Sequence, residues 1–142
     1  MIDVSLLSEK FNLSILENKI LVNSDLIDVL EFLKNTPEYN FDMLISIVAI
    51  DLEDNIELIY QLYSTCNNFT LNISCYACNS QAKSVTHLYK SACFDECEIY
   101  DMFGVIFEGN TNLKRLFMPE SWIGHPMLKS YELKDERLVW NE

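Results

Sequence analysis

Glu96-Cys97-Glu98-Ile99-Tyr100-Asp101-Met102-Phe103-Gly104 is the stretch on which the fold of this chain turns. At about 100° per residue it places Ala92, Cys93, Cys97, Ile99, Tyr100 and Phe103 on one helix face, and Gly104 supplies the left-handed residue that ends the helix. Glu96 falls inside that apolar face. A carboxylate there must be neutralised, or answered by Lys, Arg or backbone N–H donors, because an unpaired buried charge is strongly destabilising. Asp95, Glu98 and Asp101 add further negative charge within the same two turns, and Asp101 lies near the carboxyl end, where the helix dipole disfavours it. No Lys or Arg stands on the helix itself, so cationic partners are expected.

Downstream the chain changes character. Gly104, Gly109, Gly124, Pro119 and Pro126 all follow Phe103, whereas Pro37 is the one Gly or Pro before it. This shift divides the sequence into a regular body, residues 1–103, and an extended, turn-rich C-terminal arm, residues 104–142. Phe117, Met118, Trp122 and Trp140 in the arm are unfavourable to expose. They are expected either to anchor a partner or to fold back onto the body. His125, in a Gly-His-Pro turn beside Trp122, is expected to play a structural hydrogen-bonding role rather than a proton-transfer role.

Upstream, Ser5–Phe11 reads as a short helix and Lys19–Asn23 as a short strand. Ser24 is the expected cap of a helix in which Leu26, Val29, Leu30 and Leu33 recur at i, i+3, i+4 and i+7, with Asp25 and Asp28 at its positive end and Pro37 beyond it. Leu44–Ile50 and Ile56–Tyr63 are apolar and β-branched or aromatic, joined by Glu53-Asp54-Asn55 as a hairpin turn. Phe69, Leu71, Ile73 and Cys75 alternate with Thr70, Asn72 and Ser74 in the period of a half-buried strand. Ser84 and Ser91 are candidate caps, for a short helix and for the acidic helix. This order predicts an α+β fold, a mixed or antiparallel sheet with helices mainly on one face.

The 142 residues suit one domain, and a chain of this size buries roughly two-thirds of its unfolded surface. A net charge of −12 without any Lys/Arg cluster beyond Lys114-Arg115 argues against nucleic acid as a partner. No apolar run approaches the ~18 residues of a membrane span, and no basic-then-apolar leader opens the chain. A soluble, cytoplasmic protein with reduced thiols is expected from this layout and from an odd count of five cysteines. Cys75-x2-Cys78 with Cys93-x3-Cys97 supplies four thiols, and a free-standing zinc-binding interaction module is the alternative functional reading. The simpler reading treats Cys93 and Cys97 as small buried hydrophobes on the helix face. No set of nucleophile, base and orienting group can be assembled, so no catalytic residues are assigned.

Glu96, Glu98, Tyr100, Asp101, Gly104, Phe107, Glu108 and Gly109, followed by Leu113, Arg115, Leu116, Pro119, Trp122, Gly124, His125, Pro126, Lys129 and Tyr131, resemble a known family pattern. That pattern is Glu-Arg-Glu-x-Tyr-Asp-x-x-Gly-Ile-x-Phe-Glu-Gly-His-Pro-x-Leu-Arg-Arg, with a later Gly-His-Pro-Leu-Arg-Lys-Asp-Tyr tail. It belongs to the 30 kDa-type subunit of respiratory complex I, the proton-pumping NADH:quinone oxidoreductase, and to the equivalent small subunit of membrane-bound energy-converting nickel-iron hydrogenases. The chain departs from it at Cys97 for Arg, Asn110-Thr111 for His-Pro, Lys114 for Arg, and Leu128-Lys129-Ser130 for Arg-Lys-Asp. The resemblance implies a non-catalytic scaffold subunit of the peripheral arm, peripheral to the membrane through its complex and holding no cofactor or metal. Its implied partners are a hydrogenase-like large subunit and a cluster-bearing small subunit. The residues implied to matter are those matching the motif, together with Phe103 on the helix face.

Overall fold

The computed structural model describes residues 4–17, 19–23 and 25–132. Ser24 and Trp140 lie outside the described residues. Helix α1 (Val4–Phe11) leads into strands β1 (Leu13–Ile15) and β2 (Ile20–Val22), helix α2 (Leu26–Asn35), the long strands β3 (Met43–Asp51), β4 (Ile56–Ser64) and β5 (Phe69–Ala77), then β6 (Gln81–Lys83), helix α3 (Ala92–Phe103) and β7 (Ile106–Glu108). Five strands form one sheet in the order β1-β2-β5-β4-β3, and β6 and β7 form a separate parallel pair. Within the large sheet β2 and β5 run parallel while the other neighbours are antiparallel, so the sheet is mixed.

Strand register follows from side-chain alternation. Ile47, Tyr60, Ile73 and Ile20 lie opposite one another across four strands, and all four are buried. The next row, Val48, Ile59, Ser74 and Leu21, points to the other face. Val29, Leu30 and Leu33 of α2 and Ala92 and Ile99 of α3 join the first face in a single core. On the other face Met43, Ile45, Val48, Ile50 and Tyr76 remain exposed.

Local chemistry explains the element ends. The Asp25 carboxylate accepts the Ile27 N–H at 3.0 Å and caps α2, a role expected of the neighbouring Ser24. Gly104, at φ 75°, closes α3 in the left-handed conformation, its N–H reaching the Tyr100 carbonyl. Ser91 precedes α3 but makes no side-chain cap; its hydroxyl instead reaches the Leu44 carbonyl at 3.4 Å. Asp95 accepts the Ile47 N–H at 3.0 Å. Both contacts fall on β3, the edge strand against which α3 packs, and they occupy backbone groups that an open edge leaves unpaired.

Two expectations need correction. Ser84 caps no helix: residues 84–91 form turns, because its hydroxyl is held by Glu96. The core also crosses the division at Phe103/Gly104, since Val105 and Phe107 are buried within it and β7 pairs with β6 of the body. Beyond Gly109 the described residues contain no helix or strand and run as turns.

Candidate functional site

Helix α3 is organised around two enclosed carboxylates, Glu96 and Asp101, both 0 % exposed. Each is answered from within the chain, so the expectation that Glu96 needs a cationic partner is corrected. Glu96 Oε1 accepts the Val85 N–H at 2.8 Å, and Oε2 accepts the Ser84 hydroxyl and the Asn110 amide, each at 2.8 Å. The donors are neutral. A serine hydroxyl has one proton, so with Ser84 donating to Glu96, Thr86 donates to Ser84 across their 2.8 Å contact. Burial pushes the Glu96 carboxyl above its ordinary range, more than the Val85 N–H, the Ser84 hydroxyl and the Asn110 amide pull it down, and the charge of Asp95 adds to the rise.

Asp101 shows the opposite balance. Oδ2 accepts the backbone N–H groups of Leu116 at 3.0 Å, Phe117 at 2.7 Å and Met118 at 3.0 Å, while Oδ1 pairs with Arg115 Nη1 at 2.8 Å. Burial acts to raise its carboxyl, but the Met118 N–H, the Arg115 guanidinium and the Phe117 and Leu116 N–H groups outweigh it and hold the group below the ordinary carboxylate range. The unfavourable position at the helix carboxyl end is offset by the same donors.

Arg115 extends the clamp, its Nη2 donating to the carbonyls of Trp122 at 3.0 Å and Gly124 at 2.9 Å. His125 places Nδ1 3.0 Å from the Asp101 carbonyl and its ring edge-on to Tyr100 at 6.1 Å. A side chain on Gly104 would stand 2.6 Å from the His125 ring, so this glycine is required by its backbone angle and by the packing of the arm. Met127 N–H reaches the Met102 carbonyl at 3.0 Å, and Pro126 sits in the turn that the Leu128 N–H closes onto the His125 carbonyl. Lys129 N–H ends on Asp51 at 2.8 Å and its ammonium on Glu53 at 3.3 Å. Tyr131 packs beside Gly124, whose φ of 90° again excludes a side chain.

The structure therefore brings Glu96, Tyr100, Asp101, Phe103, Gly104, Phe107, Arg115, Trp122, His125, Pro126 and Tyr131 into one continuous unit on and beside α3. Glu98, Glu108 and Gly109 are exposed around it, and Lys129 is tied to Asp51 and Glu53 at the turn between β3 and β4. Ser84, Val85 and Asn110 are not among the expected site residues. Two of these three act through the side chain, but nothing in local spacing links residues 84 or 110 to 96, and Val85 contributes only main chain. The clamp holds Phe117, Ile123 and Met127 outward at 67 %, 79 % and 56 % exposure, and Phe94 on α3 is 73 % exposed. Among the described residues no group of three or more His, Cys, Asp or Glu side chains is placed to hold a metal ion. No helix of the described residues is long and apolar enough to cross a membrane.

The model of the respiratory-chain NADH dehydrogenase 30 kDa subunit family matches residues 20–137. The C subunit of NADH-quinone oxidoreductase from Roseiflexus sp. (strain RS-1) is 35 % identical over 120 residues, covering 81 % of this chain and 69 % of the relative. Among solved structures, a trypsin-resistant fragment (1–134) of Nqo5 aligns with a TM-score of 0.59 at 24 % identity, covering 78 % of this chain and 96 % of the fragment. A chain of an archaeal respiratory membrane complex, the membrane-bound sulfane sulfur reductase, aligns with a TM-score of 0.65 at 22 % identity over 92 % of this chain and 84 % of its own. At these identities the two structures speak for the fold.

Proposed function

Because this chain belongs to the family of the respiratory-chain NADH dehydrogenase 30 kDa subunit, we propose that it is a non-catalytic scaffold subunit of a complex I-like, membrane-associated oxidoreductase. It docks on the hydrogenase-like large subunit and touches the cluster-bearing small subunit, carries no flavin, cluster or metal of its own, and stays peripheral to the membrane through its complex.

The observation that carries this reading is the outward display of Phe117, Ile123 and Met127 on a segment that has no regular structure yet is pinned by a buried carboxylate, an arginine and three backbone N–H groups. Solvent-facing apolar side chains on a rigid frame suit a partner, because ordering is already complete before association and the apolar area is removed from water on docking. The chain's net charge of −12 favours association with a partner of basic surface.

Affinity purification of the tagged full chain from gently solubilised membranes of its own host tests the proposal. The expected result is co-elution of a hydrogenase-like large subunit and an iron-sulfur subunit. Recovery of the chain alone, with those subunits assembled elsewhere, overturns it.

A further inference from the structure

Helix α3 carries one chemical feature that the docking reading leaves unused. Cys93 and Cys97 stand one helical turn apart, where side chains are neighbours with about 5–6 Å between Cβ atoms. Cys97 is 2 % exposed, and its thiol donates to the Asn112 carbonyl at 3.3 Å. Cys93 is half-buried, and both residues line a surface cleft of about 410 Å³ together with Phe94, Leu113, Lys114 and Leu116. Cys97 stands where the family pattern has Arg.

Among the described residues no third ligand joins these two sulfurs, and two do not suit tetrahedral zinc, which needs three or four protein donors. They suit an element that takes two sulfurs and keeps a substituent of its own. Burial pushes the Cys97 thiol above its ordinary range, so it meets such a species as S–H rather than thiolate. We propose that Cys93 and Cys97 form a dithiol site that captures trivalent organoarsenicals as a cyclic bis-thiolate. Both S–H bonds and the arsenic–oxygen bond break, two arsenic–sulfur bonds form, and the oxygen leaves as water with the two thiol protons; arsenic stays trivalent, so no oxidant or reductant is consumed. Phe94, Leu113 and Leu116 give the cleft apolar walls for the organic substituent.

Treating the folded full-length chain with phenylarsine oxide and measuring intact mass tests the site. One phenylarsenic adduct per chain is expected, resistant to excess 2-mercaptoethanol and removed by 2,3-dimercaptopropanol. Cys93→Ser and Cys97→Ser each lose it, while Cys66→Ser and Cys78→Ser keep it. Cys93 is only half-buried, so Cys93→Ser carries the test even if Cys97→Ser loosens the fold, with circular dichroism checking that the variant is folded. Absence of a monothiol-resistant adduct on the unaltered chain, or its persistence in folded Cys93→Ser, overturns the proposal.

Discussion

Asp101 and Glu96 share one helix and shift in opposite directions, which separates their contributions to stability by pH. Asp101 is held below the ordinary carboxylate range, so its contribution is fully present above the unfolded-state value and is lost as pH falls through the depressed folded value. Glu96 is raised, so its contribution is present below the unfolded-state value and declines as pH rises through the elevated folded one. Asp101→Ala leaves an enclosed Arg115 and three backbone N–H groups without their acceptor. Urea unfolding at neutral pH should show a loss of about 3 kcal/mol, and the fall in stability on acidification should flatten. Glu96→Gln keeps an oxygen for the Val85 N–H and removes a charge that burial disfavours, but it turns an NH2 toward the Ser84 and Asn110 donors, so its urea midpoint should fall by less than that of Glu96→Ala. Glu96→Ala, which strands three donors, should cost about 2–4 kcal/mol. Equal losses for Gln and Ala would show that ionisation of Glu96, not its hydrogen bonding, holds the 84–86 segment. The burial of Glu96 is legible in the helical spacing. Its donors are not, because they come from residues 84, 85 and 110 and one of them is main chain. Asp101 reads from sequence as poorly placed at a helix end; part of its compensation is the legible Arg115, and the rest comes from backbone groups at 116–118, which leave no mark in the sequence.

At the level of elements, long patterned segments declare themselves, as do the short α1 and the apolar run of β2, while the other short strands do not. The β3–β4 hairpin, the alternating β5, α2 with its i, i+3, i+4, i+7 stripe and the Gly104 end of α3 all follow from local periodicity and turn chemistry. Strands β1, β6 and β7, of three residues each, escape such a reading: β6 and β7 exist only because they pair with each other across some two dozen residues, and β1 is defined only by its pairing with β2. The α3–Gly104–β7 junction is the element on which the arm is hung. Gly104→Ala combines an unfavourable φ with a clash against the His125 ring, and a loss of about 1–3 kcal/mol is expected in thermal or urea unfolding. Adding His125→Ala removes the clash but not the backbone term, so the double variant should lose less than the two single losses summed. Strict additivity would mean that the arm does not press on α3 at this point.

For the whole molecule, the description of residues 104–142 as an arm is refined by what residues 105–131 do. Val105 and Phe107 complete the core, and the turns beyond them are fastened to α3 through Asp101 and to the β3–β4 turn through Asp51. The fold class and the family are legible because the motif residues are those that build this fastening. The outward set Phe117, Ile123 and Met127 is legible only in part: the arm's apolar content signals a covered surface, but which side chains turn inward is decided by the Asp101 clamp. Replacing these three residues together by Ser should leave the melting temperature within a few degrees, since exposed side chains contribute little to folding. The same change should reduce copurification with the large subunit at least tenfold, a loss of about 1.4 kcal/mol or more in docking. The most direct measurement is backbone hydrogen exchange over residues 115–128, comparing the isolated full chain with the chain in its assembled complex. Slow exchange is expected at the Asp101-bound N–H groups of Leu116, Phe117 and Met118 in both states, with further slowing across Trp122–Leu128 only in the complex. Exchange across 115–128 that is identical in the two states would contradict this.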